Sequence, residues 1–313
     1  MTDRRMPADW QRGPYFGSPH TFMRIPATRD LRHADVAIIG LPLDIGTTHR
    51  PGTRYGPRAI RAISTQLLPR DVEQRSLMPP FSQLRVVDYG DIDSYPGYIE
   101  QSLQKFEDEL TPVLEAGVFP LCLGGDHTVT LPVLRAAAHK HGTLSLVHFD
   151  SHPDLWGGES GRRYNHGTMF SVAVEEGLID PSASVQVGIR GCVSATIMGQ
   201  ASAAGFRVVT ADELARQGVG ATLEALHRIA TLPTYVSLDI DSVDPAFAPG
   251  TGTPEVAGLT SREIVQMVRG LRGLPLVAFD VVEVSPPYDS SEITALLAAN
   301  LVYELLLVLA DRK

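Results

Sequence analysis

Leu144-Ser145-Leu146-Val147-His148-Phe149-Asp150-Ser151-His152-Pro153-Asp154 opens as an apolar run and closes on three hard metal ligands. Asp150, His152 and Asp154 stand at i, i+2 and i+4, so in extended backbone their side chains leave one face together. Two carboxylates and an imidazole have no place in a strand core, because unpaired buried charge is costly. The stretch therefore reads as a buried strand whose carboxyl end opens into a site.

Outward from it, apolar runs recur at residues 35–40, 84–87, 118–123, 185–189, 207–209, 235–238 and 276–282. Helical signals fill most of the gaps. Gly56-Pro57 starts a helix with proline in its first turn, and residues 98–116 form another, with a kink or break at Pro112. Residues 128–141, 219–230 and 292–310 are helical, and Thr260 with Glu263 makes a capping box for a helix ending near Arg272. A long loop follows the opening stretch to about Thr168. Alternation of this kind predicts an α/β fold, a doubly wound, mostly parallel sheet with helices on both faces. Residues 1–33, rich in Pro, Arg and Gly, read as an N-terminal arm packed on the body or on a neighbouring subunit; residues 34–313 read as one domain.

The net charge of -9, without a basic stripe, argues against nucleic acid or an anionic membrane as partner and suits a cationic substrate. Cys122 lies in an apolar run and Cys192 stands alone, so a reducing, cytoplasmic setting is expected. Neither an apolar leader nor an uninterrupted span of membrane-crossing length is expected, since Asn300 and Glu304 break the last apolar stretch.

Open parallel sheets bind ligands beyond the carboxyl ends of their strands. Four predicted strands deliver polar residues there: Gly124-Gly125-Asp126-His127, the opening stretch, Asp239-Ile240-Asp241-Ser242-Val243-Asp244-Pro245, and Asp280 with Glu283-Val284-Ser285-Pro286. The candidate metal ligands are His127, Asp150, His152, Asp154, Asp239 and Asp241. Four carboxylates and two imidazoles without a thiolate favour a hard divalent ion over a structural zinc. Six ligands exceed one tetrahedral site, whereas two ions sharing bridging carboxylates use them all. Two ions also lower the pKa of a shared water, so the residues alone read as a two-metal hydrolase. Asp126 and Asp280 are expected to be structural hydrogen-bond acceptors and Asp244 a turn former. His148 is expected in the core, and His139, His141 and His227 in solvent.

Taken together, Gly124-Gly125-Asp126-His127, Asp150-x-His152-x-Asp154, His166-Gly167-Thr168, Asp239-x-Asp241-x-x-Asp244-Pro245, Gly250-Thr251-Gly252-Thr253-Pro254 and Glu283-Val284-Ser285-Pro286 resemble the ureohydrolases, the family of arginases, agmatinases and guanidino-acid hydrolases. The resemblance runs from about Asp35 to the C-terminus. It implies a three-layer α/β/α fold with two manganese ions per chain, nickel being possible, and a homo-oligomer of three or six chains. It also implies that His127, Asp150, Asp154 and Asp239 hold one ion, and Asp150, His152, Asp239 and Asp241 the other. Asp154 would further orient the attacking water, Glu283 would receive the guanidinium group, and His166 would protonate the departing amine.

Within the family the arginases fit poorly, because the position that reads their substrate's amino-acid end is Trp156 here. The pattern Asn165-His166-Gly167-Thr168-Met169-Phe170 resembles agmatinases, while residues 41–61 and 258–260 resemble guanidinobutyrases equally well. Trp156, Asn165 and Arg163 are the candidate substrate contacts. A distal ammonium would call for Glu159 and a distal carboxylate for Arg162, Arg163 or Arg50. The expected reaction releases urea and an amine from a small cationic guanidino compound, agmatine first, with a guanidino acid (4-guanidinobutanoate or 3-guanidinopropanoate) or another small guanidine as the alternative. Two other readings compete: a single-zinc amidohydrolase, disfavoured by the lack of a His-His pair, and a non-catalytic assembly subunit, disfavoured by the complete ligand set.

Overall fold

The computed structural model describes residues 20–67, 80–157, 163–191 and 193–312. Eight strands form one sheet: β1 (Val36–Leu41), β2 (Val86–Asp91), β3 (Phe119–Gly124), β4 (Ser145–Phe149), β5 (Val185–Ile189), β6 (Arg207–Thr210), β7 (Thr234–Asp239) and β8 (Leu276–Val282). Their order is β2-β1-β3-β8-β7-β4-β5-β6, and all neighbours run parallel. Each apolar run singled out in the sequence has become a strand. A parallel sheet covered on both faces needs such runs, since neither face meets water.

Nine helices accompany the sheet among the described residues: α1 (Gly56–Ser64), α2 (Pro80–Gln83), α3 (Ile99–Glu115), α4 (Thr130–His141), α5 (Met169–Glu175), α6 (Ala195–Ala204), α7 (Ala211–Ile229), α8 (Ser261–Gly270) and α9 (Ile293–Ala310). Successive strand residues point to opposite faces and so divide the core in two. Val36, Ile38, Leu121, Leu123, Val147, Phe149, Val236, Leu238, Phe279 and Val281 pack under α1, α7, α8 and α9. Ala37, Ile39, Cys122, Leu146, Tyr235, Ala278 and Val282 pack under α3, α4 and α5. The result is the three-layer α/β/α arrangement expected.

Several local expectations are corrected. Pro112 neither ends nor breaks α3, which runs on to Glu115. It stands in the last turn, and the carbonyl it leaves without a partner belongs to exposed Asp108, where water can serve it. Helices α5 and α6 were missed: α6 lacks an apolar period, includes Gly199 and buries only Ile197 and Ala201, although Ser194 and Gly205 cap its two ends. Helix α7 begins at Ala211, well before residue 219, and changes direction at Gly218, whose φ of 80° lies outside the helical region. The capping box forms as written, Thr260 Oγ1 accepting from Glu263 N at 3.2 Å and Glu263 Oε2 from Thr260 N at 2.8 Å.

Helix α9 is, against expectation, long and apolar enough to cross a membrane, with a mean hydropathy of 2.1. It is the central helix of its layer, packed on α1 and α8, and Glu304 is answered by Arg269 at 2.7 Å. Residues 20–33 of the arm lie against the body. Phe22 and Met23 are fully buried, with their amides donating to Asp88 Oδ2 (2.7 Å) and Ser64 Oγ (2.8 Å). Asp88 is in turn held by Arg61 at 2.9 Å.

Candidate metal centre

Strands β3, β8, β7 and β4 lie side by side in the middle of the sheet, and the candidate residues all follow their carboxyl ends. The turn after β3 makes close backbone contact with its neighbours. Asp126 N donates to Leu43 O at 2.7 Å and Glu283 N to Gly125 O at 2.9 Å. A Cβ on Gly125 would stand 1.9 Å from Leu43 O, so only glycine fits. Gly125→Ala is expected to destabilise the protein by about 3 kcal/mol through this overlap, read as a lowered urea midpoint. A midpoint equal to wild type would show that the turn can yield.

The His127 ring is buried, with Nε2 2.7 Å from Ser237 Oγ. The Ser237 hydroxyl spends its proton on Asp280 Oδ1 at 2.7 Å, so it accepts from His127, and Nε2 carries the hydrogen. Nδ1 is therefore bare. It has no hydrogen-bond partner, yet stands 3.1 Å from Asp150 Oδ2, 3.0 Å from Asp154 Oδ2 and 3.2 Å from Asp239 Oδ2. Four electron-rich atoms facing one another in a buried space call for a cation between them.

A second half adjoins it. His152 Nδ1 lies 3.1 Å from Asp241 Oδ2 and 3.5 Å from Asp150 Oδ1. Asp150 thus turns Oδ2 to the His127 half and Oδ1 to the His152 half, the disposition of a shared carboxylate. Asp239 faces the first half with Oδ2 and takes the Asp241 amide on Oδ1 at 2.7 Å. Asp241 Oδ1 accepts from Ser151 N at 3.0 Å and Ser151 Oγ at 2.7 Å, while Oδ2, which also takes the Thr253 hydroxyl at 3.3 Å, faces the site. The six candidate ligands are brought together, and the buried His/Asp cluster fits a binuclear centre.

The electrostatics say the same. Burial, then repulsion from Asp241 and Asp150, pushes the Asp239 carboxyl well above its usual range. Burial and Asp150 raise Asp154 as well. Burial opposes charge on His152, but Asp241 and Asp150 overcome it and lift that ring to about 12. The cluster is short of positive charge, and two divalent ions would supply it. Asp154 also holds a left-handed backbone, φ 51°, an uncommon state for a side-chain-bearing residue and one that clusters at functional sites.

Glu283 shares that strain, with φ 63°, and is fully buried. Its Oε1 accepts from His127 N at 2.9 Å and lies 3.0 Å from His166 Nδ1. Oε2 has no hydrogen-bond partner among the described residues. His166 Nε2 faces Thr48, with the amide at 3.1 Å and the hydroxyl at 2.7 Å. The amide can only donate, so Nδ1–H is the hydrogen turned to Glu283. Burial opposes charge on this ring, but Glu283 favours it and raises its pKa to about 9, and a second proton on Nε2 would cost the bond from the Thr48 amide. Asp126 pins the same loop through Gly46 N at 2.8 Å, and burial with the nearby Glu283 charge raises its carboxyl to about 6.

The candidate substrate contacts fare differently. Trp156 stands beside the site, its ring 6.2 Å from that of His152. Asn165 Oδ1 accepts from Gly167 N at 2.9 Å and shapes the turn that carries His166. The half-exposed Arg163 guanidinium pairs with Glu175 of α5 at 2.8 Å. Glu159 and Arg162 lie outside the described residues, and Arg50 rests over Tyr288, 5.1 Å from the ring centre. Asp280 is the hydrogen-bond acceptor expected, taking hydroxyls from Ser237, Thr130 and Tyr235. Thr48 and Ser237 were missed, because neither carries a signal until the strands are laid side by side.

Comparison with known proteins agrees with this geometry. The family model described as "Arginase family" matches residues 34–308. A guanidinopropionase of Pseudomonas aeruginosa is 47% identical over 99% of this chain and 97% of its own length. An agmatinase of Chromobacterium violaceum is 44% identical over 94% of this chain and 89% of its own. Among solved structures, proclavaminate amidino hydrolase from Streptomyces clavuligerus superposes with a TM-score of 0.92 at 42% identity, covering 96% of this chain and 100% of that one. A buried His/Asp cluster at the rim of an eight-stranded parallel sheet, with matches over nearly the whole length, means that this chain belongs to the arginase family.

Proposed function

We propose that this protein hydrolyses the guanidino group of a small linear guanidino compound to urea and an amine, at two divalent ions held by His127, Asp150, Asp154 and Asp239 on one side and Asp150, His152, Asp239 and Asp241 on the other. The decisive observation is the bare Nδ1 of His127 facing three carboxylate oxygens at 3.0–3.2 Å, with the unpartnered Oε2 of Glu283 beside it. When bound, the ions supply Lewis acidity and a water of lowered pKa. The chain's own residues do the rest. Glu283 offers Oε2 to a guanidinium N–H, a charge-assisted bond that satisfies an otherwise orphaned buried acceptor. Asp154, fixed by its strained backbone, orients the attacking water. His166 holds a proton at Nδ1 next to Glu283 and is the proposed donor to the leaving amine.

Manganese is the proposed metal, with nickel the alternative, as a thiolate-free set of four carboxylates and two imidazoles favours hard to borderline ions. A homo-oligomer of three or six chains is proposed with it. Phe247, Ile293 and Leu296, each 38–39% exposed beside α8 and α9, support an association surface. The buried free thiol of Cys122 supports a reducing, cytoplasmic setting. The test is urea release from agmatine, 4-guanidinobutanoate, 3-guanidinopropanoate, arginine and guanidine after loading with manganese or nickel. Turnover of at least one, abolished by chelation and restored by metal, is expected. No urea from any of them would leave the assembly-subunit reading in its place.

A further inference from the structure

His148 and Gln186 occupy directly paired positions on β4 and β5, on the face covered by α3, α4 and α5. Both side chains are fully buried. Gln186 Nε2 lies 2.7 Å from Pro153 O and 3.1 Å from His148 Nδ1. A carbonyl accepts only, so the amide must present its NH2 end to Pro153, and the same nitrogen has a second hydrogen for His148. Nδ1 is thereby the accepting nitrogen. The hydrogen of the ring sits on Nε2, 2.7 Å from Asp150 Oδ2. The ring cannot swing away, because Phe170 packs edge-on with centroids 4.5 Å apart and the His127 ring is 5.2 Å away.

Asp150 is consequently fixed at both oxygens. Oδ2 receives the His148 N–H, and Oδ1 receives the His152 amide at 2.6 Å. Each oxygen keeps one lone-pair direction, Oδ2 toward His127 and Oδ1 toward His152. We infer that His148, locked in one tautomer by Gln186, is a positioning residue that sets the rotation of the Asp150 carboxylate so that one oxygen serves each half of the metal centre. This rests on the two-ion reading of the site. His148 itself is no ligand in this arrangement, since its Nδ1 is taken by Gln186 and its Nε2 points its hydrogen at Asp150.

The test is manganese binding, measured by competition with a chelating indicator and by the rise in melting temperature on adding the metal. His148→Phe keeps the ring's shape and deletes the N–H. Its manganese affinity is expected to fall 10–100-fold, the usual consequence of losing a partner of a ligand. His148→Gln, which places an N–H2 near the position of Nε2, is expected to recover most of that loss. Gln186→Leu should weaken binding less, while nitrogen-15 spectra of the ring should change from a single Nε2–H tautomer to a mixture. A purely structural role predicts instead that the metal-free melting temperatures fall in parallel and the metal-induced rise stays the same. His148→Phe binding two ions with wild-type affinity would overturn the inference, as would a wild-type ring protonated on Nδ1. Wild-type protein binding fewer than two ions would overturn the two-ion reading itself, so the two failures are distinct.

Discussion

Asp150→Ala is expected to lose activity altogether and to bind no second ion at any practical manganese concentration. Among the described residues Asp150 is the one side chain whose two oxygens face the two imidazoles separately, 3.1 Å from His127 and 3.5 Å from His152. Its removal strips a charged donor from both halves at once, whereas Asp154→Ala or Asp241→Ala strips one. Stability should respond in a telling way. A site saturated at about 100 times its dissociation constant adds about 2.7 kcal/mol to the folded state, so the wild type should melt well above its metal-free form. In Asp150→Ala the second ion's increment should vanish. The metal-free proteins should differ far less, because deleting Asp150 also removes repulsion felt by Asp239 and Asp154. Calorimetric melting with and without manganese, beside a metal count per chain, reads both effects. Two ions retained in the variant would show that Asp150 is dispensable to the centre.

This centre was legible in the sequence to an unusual degree, and the reason is topological. A parallel sheet puts every strand's carboxyl end on one rim, so ligands written directly after apolar runs must share that rim whatever the strand order. The order itself was not legible: β3, β8, β7 and β4 come together from distant parts of the chain. What depended on that order was lost with it. Gln186 meets His148, and Ser237 meets His127, only because their strands or turns are neighbours, and each reads alone as an ordinary polar residue. Backbone strain was equally silent, since no residue type announces that Asp154 and Glu283 will adopt positive φ. The partners of Asn165 and Arg163 were equally hidden, because on the loop before α5 side chains answer local turns and surface charges and periodicity offers no guide.

Glu283 yields the second large effect, because its charge and its backbone pull in opposite directions. Glu283→Gln keeps an acceptor for the His127 amide but removes the negative charge that a guanidinium would meet at Oε2. Truncating one side of a buried, hydrogen-bonded charge pair costs about 3 kcal/mol, so kcat/KM should fall by about two orders of magnitude while both ions stay bound. Glu283→Gly goes further and should be inactive. It nevertheless relieves a left-handed conformation that costs roughly 1 kcal/mol or more in a residue with a side chain, and it removes a buried carboxylate whose second oxygen has no partner. Against this stand the cavity left by the side chain, the lost bonds to the His127 amide and the His166 ring, and the extra freedom of glycine in the unfolded chain. The gains and losses are of similar size, so Glu283→Gly should melt close to the wild type when both are metal-free, in contrast to ordinary large-to-small changes in a core. Urea release, metal content and melting temperature, measured together on both variants, separate the outcomes. Normal turnover by Glu283→Gln would remove Glu283 from the substrate site. A large drop in the melting temperature of Glu283→Gly would mean that the residue is kept for the fold and that its strained backbone has nothing to do with catalysis.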